Sequence, residues 1–88
     1  MLTLTKKELT RIGETPLEYA VHLVAATRSN RRWWSMQIRV PTQKKVYRIV
    51  TYLGETKFWK RLDLVVHFIQ ESCPNAKEII ITLKPPNQ

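Results

Sequence analysis

The spacing of apolar positions changes several times along the chain, and each change marks an expected element. Thr5 and Glu8 stand at the spacing of a capping box, and Leu9 and Ile12 follow before Gly13, which predicts a short helix over Lys6 to Ile12. Thr15, Pro16 and Glu18 repeat the start signal, with an N-cap, a proline at the first helical position and a reciprocal acid. Leu17, Ala20, Val21, Val24 and Arg28 then recur at helical intervals, so a second helix is expected to run to Thr27 and to be broken by Ser29 and Asn30.

After that break the period falls to two. Residues 32 to 40 alternate, Pro41 to Lys44 form a polar turn, and Val46 to Leu53 is rich in β-branched and aromatic residues. Leu53-Gly54-Glu55-Thr56 has the form of a two-residue hairpin turn with glycine first, leading into a short strand from Lys57 to Lys60. A helical period returns with Leu62, Val65, Val66, Ile69 and Cys73 and stops at Pro74 and Asn75. Lys77 to Lys84, carrying Ile79, Ile80, Ile81 and Leu83, is a final strand halted by Pro85 and Pro86. The expected fold is α+β in the order α-α-β-β-β-α-β, with helices packed on one face of an antiparallel sheet. At 88 residues, 1–88 form a single small domain.

Alternation gives the stretch "RRWWSMQIRV" two faces. Trp34, Met36, Ile38 and Val40 fall on one, and Trp33, Ser35, Gln37 and Arg39 on the other. One indole therefore serves the core, while its neighbour sits among polar and cationic groups.

Charge sharpens this picture. The net charge is +8, yet residues 28–61 alone hold ten basic residues and one acid, and the remaining 54 residues carry a slight negative excess. The excess coincides with the expected sheet, where cations ride on a rigid twisted surface. Such a surface suits nucleic acid, because Arg and Lys neutralise phosphates and a β-ribbon is thin enough to enter a major groove. Double-stranded DNA is the expected target, ahead of RNA. Arg31, Arg32, Lys44, Lys45, Lys57 and Lys60 are the candidates for phosphates, and Trp33, Gln37, Arg39 and Arg48 for base or groove contacts. The competing reading is a protein-interaction adaptor or homodimer in which Trp33 or Trp59 anchors an interface and the cations dock an acidic partner.

Other chemistry finds little to build on. One cysteine, one aspartate and two histidines on separate expected helices give no metal-ligand spacing, and with only Gly13 and Gly54 there is no phosphate loop. No enzyme, cofactor or catalytic residue is expected. Asp63 falls in the first turn of its helix, where it complements the dipole and is in reach of Arg61 or Lys60. The N-terminal helix pair has helix-turn-helix form, but the second helix offers Leu17, Glu18 and Tyr19 where base-reading residues are needed. The lone Cys73, and the lack of a signal peptide or a bilayer-length apolar run, lead to the expectation of a cytoplasmic protein without a membrane partner.

The run "VYRIVTYLGETKFWKRLDLVVHFIQ", followed by a last apolar strand, resembles small proteins encoded on bacterial plasmids and other mobile elements, some of them labelled as partition-associated. The resemblance spans residues 46–83 and rests on Gly54, Glu55, Phe58, Lys60, Leu62 and Asp63; the N-terminal helices and the double tryptophan lie outside it. It implies a mobile-element context. The same region is also similar to the three-stranded arm-binding domains of phage-type integrases, in which a sheet enters the DNA groove, although the strand after the helix departs from that fold.

Overall fold

The computed structural model describes residues 2–83. Its elements are β1 (Leu2–Leu4), α1 (Lys6–Gly13), β2 (Ala20–Arg28), β3 (Arg31–Val40), β4 (Lys45–Ile49), α2 (Leu62–Ser72) and β5 (Ile79–Thr82), with a 3₁₀ turn at Pro41–Gln43. The five strands form one sheet in the order β1-β4-β3-β2-β5. β2, β3 and β4 pair antiparallel as a meander, whereas β1 lies parallel to β4 and β5 parallel to β2.

This order corrects the expected α-α-β-β-β-α-β arrangement and its antiparallel sheet. The segment read as a second helix is β2. Its burial alternates, with Val21, Leu23 and Ala25 buried and His22, Val24 and Ala26 half-buried between them. The helix-start signal at Thr15 serves another purpose: its hydroxyl donates to the Ile12 carbonyl at 2.7 Å and accepts from the Leu17 amide at 3.4 Å, closing the turn behind α1. Ser29 and Asn30, read as a helix break, have φ of 52° and 62° and join β2 to β3. Two left-handed residues in a two-residue loop match the right-handed twist of the flanking strands. The strand β1 was not foreseen; three residues are too short to show a period.

Two further boundaries move. β4 stops at Ile49, and the chain then makes a three-residue loop, Tyr52-Leu53-Gly54, in place of a two-residue turn. The Gly54 amide donates to Thr51 at 2.8 Å, the Thr51 amide to Glu55 at 2.7 Å, and Gly54 takes a φ of 86°. Residues 57–60 form no regular strand. Instead Trp59 exchanges two backbone bonds with Trp34, both 2.8 Å, and so takes the place beside β3 that β4 has vacated. The expected stop at Pro85 and Pro86 lies outside the described residues.

The helices follow their local signals. Thr5 and Glu8 form the reciprocal capping box, with the Thr5 amide donating to the Glu8 carboxylate at 2.9 Å; these bonds hold the Glu8 carboxyl below its usual range. Arg61 grips Asp63 through two guanidinium bonds, 3.1 and 2.7 Å, at the start of α2. Leu9 from α1 and Val65, Phe68 and Ile69 from α2 join Val21, Leu23, Trp34, Met36, Ile38 and Ile49 in one core, so both helices cover the same side of the sheet. No helix among the described residues is long and apolar enough to cross a membrane.

The two helices touch where Gly13 meets the end of α2. A Cβ on Gly13 would lie 2.5 Å from the Ser72 carbonyl oxygen, a backbone atom that has no flexible side chain to yield. The same glycine's carbonyl accepts from the Asn75 amide at 3.0 Å. Gly13→Ala should therefore destabilise the fold by about 2 kcal/mol and lower Tm by roughly 10 °C, measured by circular dichroism. An unchanged Tm would show that α1 and α2 do not meet at this distance.

Candidate nucleic-acid interface

The sheet face without helices is built from the alternate residues of every strand. The pairing register aligns Thr3, Arg48, Gln37, His22 and Ile80 in one row across all five strands. Val46, Arg39 and Ala20 make the next row toward one end; toward the other lie Ser35 beside Val24, Trp33 beside Ala26 and Arg31 beside Arg28. Not one strand position on this face is acidic. Arg39 donates to the Gln37 side-chain Oε1 at 3.3 Å, and the Arg48 Nε is buried without a hydrogen-bond partner.

His22 lies in the row that contains Arg48, between Gln37 and Ile80. Burial, and then the adjacent Arg39 guanidinium, lower its pKa from the usual 6.5. It is thus neutral at pH 7 and leaves the positive charge to the arginines.

One end of the face narrows to a ribbon. β5 pairs with β2 only from Val21 to Val24, and β4 pairs with β3 only from Gln37 to Val40. Beyond those points β2 and β3 have each other and the single Trp59 bridge at Trp34. The last pairs are Ala26 with Trp33, Thr27 with Arg32, and Arg28 with Arg31. Two arginines therefore stand directly opposite one another, an arrangement that repels. Aromatic rings offset part of this repulsion: the Arg28 guanidinium lies 4.3 Å from the Phe58 ring centre and 5.6 Å from that of Trp33, and the Lys60 ammonium lies 5.7 Å from Trp33. The half-buried Trp33 is fixed by its indole N–H, which donates to the Arg28 carbonyl at 3.3 Å.

The structure therefore sorts the ten candidates. Arg31, Trp33 and Lys60 gather at the ribbon; Gln37, Arg39 and Arg48 occupy the middle of the same face. Arg32 points the other way, 5.9 Å from the buried Trp34 ring. Lys57 is also on the helix side, 4.9 Å from Phe68 and 5.4 Å from Trp59. Lys44 and Lys45 lie at the opposite end, where Lys44 leaves the 3₁₀ turn with a φ of 52°. Arg28, His22 and Phe58 belong to the site yet were not among the candidates. The alternation Val21, Leu23, Ala25 was the signal that would have placed the first two.

The groups with nucleophilic potential lie elsewhere. Cys73 is buried in the core and burial raises its thiol pKa; the neighbouring Tyr19 hydroxyl is pushed up to about 12, chiefly by burial. Among the described residues no three His, Cys, Asp or Glu side chains converge as metal ligands. The chain matches no protein-family model, and comparison with curated proteins and with solved structures finds no match.

The lowered His22 pKa has a definite sign. The fold disfavours the charged imidazole, so the stability associated with His22 is complete above its usual value of 6.5 and declines as the pH falls through its folded value. An NMR titration should show His22 protonating below pH 6.5, and His22→Gln should remove the corresponding acid-side loss of stability. Protonation at or above 6.5 would mean that the ring is neither buried in this way nor faced by Arg39.

Proposed function

We propose that this chain is a non-catalytic nucleic-acid-binding module that presents the β2–β3 ribbon to double-stranded DNA. The observation that carries the reading is the cross-strand pair of Arg28 and Arg31, with Arg32 beside it and no carboxylate opposite any of the three. Among the described residues the close contacts between basic and acidic side chains are Arg61 with Asp63 and His67 with Glu71, and neither includes Arg28, Arg31 or Arg32. Uncompensated cations concentrated at a projecting end favour a polyanion, whose counterions are released on contact.

Dimensions favour the ribbon over the whole sheet. Five strands at about 4.8 Å spacing span roughly 19 Å between the outer pair, too wide for a major groove of about 12 Å, whereas two strands fit. From Trp34 to Asn30 the ribbon extends four residues, about 13 Å, beyond the last sheet contact, against a groove depth of about 8.5 Å. Arg28 and Arg31 supply forked donors for guanine edges, and Asn30 at the tip an amide for adenine. Gln37, Arg39 and Arg48 extend the surface behind the tip. A cytoplasmic site of action and a plasmid or mobile-element context, which the resemblance of residues 46–83 implies, belong to the same proposal.

The test is a titration with random-sequence duplex, followed by tryptophan fluorescence. With about five phosphates neutralised, affinity should fall several hundredfold between 50 and 200 mM salt, with quenching as the nucleic acid approaches Trp33. Arg31→Ala with Arg32→Ala should flatten the salt slope by about 1.8, and reversing Lys44 and Lys45 at the far end should matter much less. No binding at 50 mM salt retires the proposal, and salt-insensitive binding would transfer the tryptophan and arginine surface to a protein partner.

A further inference from the structure

The cations at the ribbon end are not confined to the open face. Alternation through residues 57–60 sends Phe58 and Lys60 to the open side and Lys57 and Trp59 to the helix side. There Lys57 meets Lys6 from the first turn of α1: their ammonium groups lie 4.9 and 5.7 Å from the centre of the same Phe68 ring. Both lie against one aromatic ring, and among the described residues no acidic side chain forms an ion pair with either. Beside them a cleft of about 910 Å³ opens between α1 and the Thr51 loop, bordered by Lys6, Lys7, Arg11 and Lys57 against the single acid Glu14. The Thr51 hydroxyl on its wall is buried without a partner. Lys7 and Arg11 add to the charge because they are successive turns of the same helix face.

We infer that this cleft is a second phosphate seat, and that the ribbon end is straddled by one duplex: Lys60 meets one backbone and the Lys6 and Lys57 pair meets the other. The inference rests on the double-stranded DNA reading and extends it to the helix side of the molecule. Its geometric basis is the alternation itself. Side chains leaving opposite faces of one strand stand roughly 10 Å apart at mid-length, and the two backbones that border a major groove are separated by about 12 Å. Lys60 is level with Trp33, behind the tip by about the depth of the groove, so a seated ribbon brings it to the groove rim. Lys57 sits three residues further back, with its ammonium 5.4 Å from the centre of the Trp59 ring. Single-stranded nucleic acid has one backbone and satisfies one of these sides at a time.

The experiment is a titration of the intact ¹⁵N-labelled protein with a random 12-base-pair duplex, alongside salt slopes for wild type and Lys6→Gln with Lys57→Gln. The glutamines remove both charges while keeping the first two methylenes of each stem. The inference expects the amides of residues 5–7, 51 and 57 to shift at the same duplex ratio as those of residues 28–33 and 60. It also expects the double variant to lower the duplex salt slope by about 1.8, the effect of two lost phosphate contacts. Shifts confined to residues 28–33 and 60, with an unchanged slope in the variant, would overturn the second seat while leaving ribbon binding intact. Absence of any shift would remove both. Should the double variant lose its fold, the amide shifts of the wild-type protein decide alone.

Discussion

The reciprocal backbone pair between Trp34 and Trp59 organises the working end of this molecule. After β4 ends at Ile49 the chain departs through the Thr51 loop, and these two 2.8 Å bonds bring it back to the sheet. The return sets the phase of every residue around it. Trp59 packs edge-on against Phe68 at 5.0 Å and ties the segment to α2, while Phe58 and Lys60 are delivered to the side of Arg28 and Trp33. A slip of one residue would exchange the two sets and bury a lysine against the core.

The same pair explains why adjacent tryptophans occur in β3. Trp34 is 7% exposed and belongs to the core, and Trp33 lies half-buried on the open face between two cations. The aromatic rings serve as surfaces on which guanidinium and ammonium groups rest while keeping their charge. Such contacts are individually weak, about 0.5–1 kcal/mol at exposed sites, so they position the cations without neutralising them as a carboxylate would.

Much of this was legible in the residues. The capping box at Thr5, the alternation of residues 32–40, the polar turn after Pro41 and the stop of α2 at Pro74 are local signals, and local hydrogen bonds realise them. The error at residues 16–27 arose because Leu17, Ala20, Val21 and Val24 satisfy a helical period while Val21, Leu23 and Ala25 satisfy a strand period. What decides between them is the pairing of β2 with β3 on one side and with β5 on the other, and neither partner is visible in a local window. The candidate site followed the same division. The faces of Trp33, Gln37 and Arg39 came from alternation, whereas the placement of Lys57 beside Lys6 depends on a contact between segments remote in sequence.

The mixed topology has a consequence for how the molecule assembles. β2, β3 and β4 are neighbours in sequence and close short loops, while the outer strands join Leu2 to Tyr47 and Val21 to Ile79. Closing those long segments costs more chain entropy and gains only three or four residue pairs on each side. The central meander is therefore the natural nucleus, and the two margins are the first to open when the protein breathes. Because the arginine ribbon is the end of the local hairpin in that nucleus, its exposed arginines are attached to the part of the fold that forms earliest and loosens last.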